Sequence, residues 1–437
     1  MIPSNKPVSV ARRAFLRSSA RLAAGATVAT IATTTPRFLS AAERTRSIGA
    51  NSRIRIAQIG CGGRGRGAHL ERGILPHLAA TNFEVVAIAD PWRNARDATN
   101  VVIKGAFGRE AKAFVSYRDL LAMDGIDAVM IASPDFHHTS HLEAVAKAGK
   151  HIYIEKPLAT EMDKLVRAYD AAKAAEARGS IIQVGTQLRS LPGIVGAREI
   201  VRSGTLGKIT RIDETRNAEK PYWYSRAARE LKEADIDWRE FLGDRKMRPF
   251  DARQFAGWYG YYEFCQGPVP QWGAHFLDMA HYVTGCGFPE SCVCLGGITY
   301  WKDENNFTTP DNVMATWMYP EGFMVTSSNN FGNGAGNNRK FYGDKGTLAV
   351  DNWHAPTYSA EGGPKRDGKI RGKVEVTPID RPDHFLDWLQ CMRSGVTPHA
   401  SIDAGYQHAI AVLMAVISYD TGKKTLYDHA KRKISTV

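Results

Sequence analysis

"RIRIAQIGCGGRGRGAHLERG", Arg53 to Gly73, decides the fold. Ile54 to Ile59 is a short apolar run that reads as a strand. It breaks at Gly60, Gly62, Gly63 and Gly65, and a helix-like segment follows. A G-x-G-x-x-G pattern alone is weak, but here it has the required context of a strand before and a helix after. Such glycines let the backbone close tightly and approach a pyrophosphate, and the helix N-terminus offers unpaired N–H groups and positive potential. Arg64 and Arg66 can add phosphate contacts or be ordinary surface arginines.

Moving outward, "FEVVAIAD", Phe83 to Asp90, is a second strand ending in an acid. An acid there is placed to take the adenosine ribose hydroxyls, which favours NAD over NADP. Arg93 and Arg96 lie just beyond and can accept a 2′-phosphate instead, and Asp90 can also cap the helix of "PWRNARDA". Alternation continues through "SYRDLLAMDGIDAVMIASP", "HLEAVAKAGK", "HIYIEKP", "KLVRAYDAAKAAEARG" and "SIIQVGTQ". Strands separated by helical segments predict a doubly wound parallel sheet with right-handed crossovers. Ligands then gather beyond the carboxyl ends of the strands. Ser133-Pro134, Glu155-Lys156-Pro157 and Gly185-Thr186-Gln187 all fall there. A proline cannot continue a central strand, and a lysine at its mouth is costly unless its charge is used. Lys156 is thus a candidate for catalysis at the rim of the crevice.

"GCGGRGRG", "SPDFHHTSH" and "AGKHIYIEKPLA", in this order and spacing, resemble the Gfo/Idh/MocA family of nicotinamide-dependent oxidoreductases. "WGAHFLDMAHYVTG", "FYGDKGTLAV" and "HFLDWLQCMRSGVTPHASIDAGYQHAIAV" extend the likeness over essentially the whole chain after residue 50. The resemblance implies NAD(P), a sugar or polyol substrate, an often cis Lys156–Pro157 bond, and a second domain with an open, largely antiparallel sheet over the nicotinamide. The residues support such a domain independently. After Gln187, strand-like runs dominate, and Pro320-Glu321-Gly322 and Gly343-Asp344-Lys345-Gly346 read as hairpin turns. The predicted division is a Rossmann domain at 51–180 and a substrate-binding and oligomerisation α+β domain at 181–437.

Oxidation of an alcohol needs a base for the hydroxyl proton and a positive group for the developing alkoxide. Lys156 supplies the charge, and burial should lower its pKa. The resemblance carries a catalytic histidine onto His275. The aspartate that family members commonly have four residues earlier is Gln271 here, and an amide cannot take a proton. His275 must then act as the base, or the reaction is not simple alcohol oxidation. Asp278 shares a helix face with His275 and can tune it, contact substrate or serve packing, whereas His281 reads as structural. Gln187 and Arg189 follow a strand end and can meet substrate. Trp223, Trp258 and Tyr259 can stack on a sugar or pack a core. Ser133, Pro134 and His138 are expected at the cofactor with Glu155, Lys156 and Pro157. Asp135, His138 and His141 can contact a ligand or cap a helix.

Two other function classes fit the same residues. One is glycoside cleavage by transient oxidation and elimination, which leaves bound NAD unchanged overall; the intact Lys156 argues against it and Gln271 for it. The other is a catalytically idle sugar-binding protein, since fold alone never establishes activity.

The 437 residues exceed one ordinary core. Lys6, Arg12, Arg13, Arg17, Arg21 and Arg37 precede Glu43 with no acid among them, so half of the net charge of +12 is local. "ARRAFLR", "LAAGATVATIA" and "LSAAE" read in order as a twin-arginine export signal over 1–42, implying a periplasmic or exported protein. The apolar run is too short to span a bilayer. The mildly basic remainder, without zinc-finger spacing or an arginine-rich helix, does not point to nucleic acid. Six scattered cysteines without Cys-x-x-Cys spacing read as small buried hydrophobes, and no metal cluster is evident. An exposed sheet face usually needs a cover, and the resemblance implies a homo-oligomer formed through it.

Overall fold

Ile54–Ile59 (β1) is buried at five of six positions, as expected of a strand covered on both faces. The computed structural model describes residues 52–227, 231–363 and 368–437. The export-signal reading over 1–42 lies outside the described residues. With Phe83–Ala89 (β2), Lys112–Phe114 (β3), Ala128–Ile131 (β4), His151–Ile154 (β5) and Ile182–Val184 (β6), β1 forms a parallel six-stranded sheet. Its order, β3-β2-β1-β4-β5-β6, is that of a doubly wound dinucleotide fold. Strand order reverses between β1 and β4, and that switch point is where a ligand crevice forms. Only the short edge strand β3 carried no sequence signal: its three residues are two exposed and one half-buried, with no apolar pattern to read.

The second sheet has ten strands. Its centre comprises Ile209–Asn217 (β7), Ser291–Gly297 (β8), Asn312–Tyr319 (β9), Phe323–Asn330 (β10) and Asn337–Gly343 (β11). β7 and β10 pair in parallel, and β8–β9, β9–β10 and β7–β11 are antiparallel. Both expected turns are present: Gly322 donates to the Tyr319 carbonyl at 3.0 Å, and Gly343 to that of Gly346 at 2.8 Å. One face buries Ile212, Ala315, Trp317, Val325 and Phe341. The other exposes Val293, Leu295, Met314, Met318 and Met324. Leu295 stands opposite Met314, and Met318 opposite Met324, so these side chains form one patch.

The long helices after residue 380 return to the first sheet. Among the helices used below are Gly63–Ile74 (α1), Ala274–Thr284 (α2), His384–Ser394 (α3) and Ile402–Thr421 (α4). Trp388 and Leu389 of α3 share a core with Ile54, Ile56 and Met130. The main chain of Val184 donates to Ala400 just before α4 at 2.8 Å. The segment assigned with the second domain therefore completes the packing of the first, which a linear boundary at 180 does not express. All six cysteines are free, and Cys292 and Cys294 alternate along β8 as expected. Among the described residues no helix is long and apolar enough to cross a membrane, and no group of acids, histidines and cysteines is arranged to hold a metal.

Candidate active site

A cavity of about 660 Å³ opens at the carboxyl ends of β1, β2, β4 and β5 and is closed on its far side by the second domain. Its floor is the glycine turn. Gly60 has φ +86°, and a Cβ there would lie 2.5 Å from the Ala132 carbonyl. A Cβ on Gly65 would strike the Gly60 carbonyl, whereas Gly62 and Gly63 face open space. The turn is thus shaped by two glycines and left unfilled at two others, where β1 passes through Gly62 into the first turn of α1. That combination fits a diphosphate.

Asp90 ends β2 and binds the turn itself, accepting from the main-chain N–H of Cys61 at 2.7 Å and of Trp92 at 2.8 Å. It lines the cavity, where a ribose hydroxyl can reach it. Arg96 donates to the Asp90 carbonyl, and Arg93 is held by the Ala234 carbonyl and Asp235. Both arginines considered for a 2′-phosphate bond protein groups instead, which agrees with NAD.

Ser133 and Pro134 follow β4 and line the cavity. His138 ties two strand ends together, with Nε2 2.9 Å from the Ser133 carbonyl and Nδ1 2.6 Å from that of Pro157. The Ser133 hydroxyl meets His141 Nδ1 at 2.9 Å. Glu155 is buried and accepts from His69 Nε2 at 3.1 Å, Arg64 Nε at 3.2 Å and Gln187 Nε2 at 3.1 Å. Burial opposes its charge, but the Arg64 guanidinium and the His69 bond outweigh burial and hold it below the usual carboxylate range. Arg64 therefore crosses from the glycine turn to the E-K-P corner. The Lys156–Pro157 bond is cis.

Lys156 donates to the main-chain oxygen of Gln271 at 2.7 Å. Burial lowers its pKa to about 8, against the opposing fields of Asp135 and Glu155. His275, one residue into α2, lines the same cavity, and its Nδ1 is buried without a hydrogen-bond partner. Burial and then the Lys156 charge push its pKa well below the ordinary histidine value, so the ring is neutral at physiological pH. The Gln271 amide donates to the Asp135 carboxylate.

Asp278 stands apart from these groups. It is fully buried, with both carboxylate oxygens on Arg189 Nε at 2.8 and 2.7 Å and Oδ1 3.7 Å from His408 Nδ1. The reading of Asp278 as a substrate contact is corrected: the Arg189 guanidinium holds its carboxylate, and Asp278 does not line the cavity. Arg189 is committed by the same pair. His281 is structural as expected, 2.6 Å from the Tyr319 hydroxyl. Trp223 is buried in an aromatic cluster with Phe331, whereas Trp258, stacked on Tyr259 with centroids 3.7 Å apart, lines the cavity.

The second sheet adds residues that motif reading missed. Arg339 of β11 pairs with Glu214 of β7 at 3.0 Å, directly across the ladder, and the Ser327 hydroxyl donates to the same carboxylate at 3.1 Å. Tyr222, Trp272 and Trp353 complete that wall. The available signal was a charged residue at a buried position of the two-residue alternation in "NNRKFYG", but its partner depends on strand register.

One family model, described as an oxidoreductase family with an NAD-binding Rossmann fold, matches residues 54–186. A second, a GFO/IDH/MocA C-terminal domain, matches residues 239–349. The chain belongs to the Gfo/Idh/MocA oxidoreductase family. Inositol 2-dehydrogenase 3 of Saccharopolyspora erythraea is 33% identical over 154 residues, 35% of this chain and 42% of that protein. Glycosyl hydrolase family 109 protein 2 of Shewanella sp. (strain ANA-3) is 30% identical over 182 residues, 38% of this chain and 37% of that protein. In both, the match spans about two fifths of the relative's own length. Levoglucosan dehydrogenase, solved in complex with NADH and levoglucosan, superposes with a TM-score of 0.63 at 17% identity, covering 88% of this chain and 100% of that one. At that identity the likeness is one of fold.

Proposed function

We propose that this Gfo/Idh/MocA protein is an NAD-dependent oxidoreductase that oxidises or forms a CH–OH group on a sugar or polyol. The observation that carries the reading is the presence of the Lys156 ammonium, the His275 imidazole and an unfilled glycine cradle on one cavity. NAD, when bound, supplies the hydride acceptor. The protein supplies the rest. Gly62, Gly63 and the N-terminus of α1 seat the diphosphate, and Asp90 takes the ribose. With its pKa near 8, Lys156 is partly neutral at mildly alkaline pH and can receive the hydroxyl proton. His275, neutral and weakly basic, orients that hydroxyl rather than taking its proton. This revises the expectation that His275 is the base. Trp258 and Tyr259 offer a stacking face for a sugar ring, and Glu214 and Arg339 offer hydrogen bonds to its hydroxyls. Two features favour a sugar or polyol: this polar and aromatic wall, and the likeness to an inositol 2-dehydrogenase.

A second reading, redox-neutral glycoside cleavage, draws on Gln271 and on the likeness to the family 109 hydrolase. Export through the twin-arginine route is also proposed from residues 1–42. A second copy of the chain is proposed to cover the apolar face around Leu295. The test of function is to denature the purified protein, assay released nicotinamide, and incubate the native protein with a panel of polyols, aldoses and aryl glycosides. Bound NAD with net oxidation is expected. Bound NAD with aglycone release and no net oxidation selects the second reading, and absence of nicotinamide selects the idle one.

A further inference from the structure

We propose that Asp135 is a positioning residue that sets the charge of Lys156 and the aim of Gln271. Asp135 stands at the corner after β4, and only 3% of it is exposed. The cap of the short helical turn Asp135–His137 is Pro134. The Asp135 carboxylate instead reaches across to the second domain and accepts from the Gln271 side chain. Gln271 in turn accepts Lys156 through its main-chain oxygen. The three residues thus form a chain of contacts from one domain to the other and back, beside His275.

A buried carboxylate with an amide for a partner is costly unless a positive charge compensates it. Five further ionisable groups surround the pair. Arg64 disfavours the ammonium of Lys156, while Asp135 and Glu155 favour it, Asp135 the more strongly. His138 and His275 are made less basic by Lys156, and the Cys265 thiol less acidic by Asp135. Glu155 already serves Arg64, His69 and Gln187. Asp135 has no guanidinium or imidazole among the partners described, so its field acts chiefly on Lys156. Burial raises the proton affinity of Asp135 and lowers that of Lys156, while each charge favours the ionised form of the other. The turn before α2 has an amide at position 271, and Asp135 places a carboxylate against that amide from the opposite domain.

The activity arm of the test rests on the oxidoreductase reading; the labelling arm does not. The pH dependence of Lys156 modification by an amine-reactive reagent is followed by mass spectrometry in wild type, D135N and the exchange variant D135N/Q271D. Removing the carboxylate removes a stabiliser of the ammonium, so D135N is expected to label with a midpoint at least about one pH unit lower. The alkaline-rising limb of kcat should move with it, with KM and bound NAD little changed. In D135N/Q271D the carboxylate returns from the other side, and the midpoint should come back to within about half a unit of wild type. An unmoved midpoint in D135N, or no recovery in the exchange variant, overturns the proposal. If D135N does not fold, the exchange variant decides alone: a midpoint displaced by a full unit or more overturns it. Labelling that behaves as expected in a protein that oxidises no substrate refutes the functional reading and leaves the role of Asp135 standing.

Discussion

Lys156 Nζ lies 2.7 Å from the main-chain oxygen of Gln271, so the E-K-P corner of one domain is bonded to the helix turn that precedes His275 in the other. This contact fixes where the ammonium sits without depending on the identity of the side chain at 271. It explains how a glutamine is tolerated at that position.

Replacing Lys156 with Ala should cost about 10³-fold or more in kcat, because it removes both the proton acceptor and the charge beside the alkoxide. Bound NAD and thermal stability should stay near wild type. The comparison is made by steady-state turnover beside nicotinamide content and a melting curve.

The glycine turn separates two roles. Gly60→Ala meets the Ala132 carbonyl and requires a left-handed backbone, so it should lower stability by about 1–3 kcal/mol and weaken NAD. Gly62→Ala enters open space, so it should leave the melting temperature unchanged and still reduce NAD affinity by occupying diphosphate room. Denaturant melts and nicotinamide fluorescence titrations distinguish the two.

Asp278→Asn leaves the Arg189 guanidinium buried beside a neutral amide. A loss of about 3–5 kcal/mol is expected, since breaking one partner of a buried pair strands the other. The folded-state pKa of Asp278 is depressed, burial being outweighed by Arg189. Its stabilisation is therefore present above the unfolded carboxylate value and is lost as pH falls through the folded value. The variant's denaturant midpoint should fall less than wild type's over that acid window.

Leu295 is 81% exposed on a sheet whose opposite face is core. Leu295→Glu should leave the fold intact and shift the sedimentation coefficient from that of an oligomer to that of a monomer. A wild-type protein that already sediments as a monomer would remove the proposed self-association.

Much of the fold was legible because its signals are local. The β1 turn needs glycines at fixed spacing, and buried parallel strands leave apolar runs between helices. Lys156 was legible because a charged residue and a proline at a strand end are locally unfavourable. Asp278 misled because helical spacing puts it near His275 along the chain, but spacing does not reveal that the Arg189 guanidinium, 89 residues away, takes its carboxylate. Asp135 and the Glu214–Arg339 wall were underweighted or missed for the same reason: each is defined by a partner more than a hundred residues away.

The central claim is that Lys156 and His275 act on a substrate CH–OH beside NAD seated in the glycine cradle. Single-turnover mixing of the NAD-loaded protein with a responsive polyol, followed by reduced-nicotinamide fluorescence, tests it most directly. Wild type should give a burst whose rate rises with pH through about 8, following loss of the Lys156 proton. K156A should give none. A burst in K156A at the wild-type rate, or a pH-independent burst in wild type, would contradict the account.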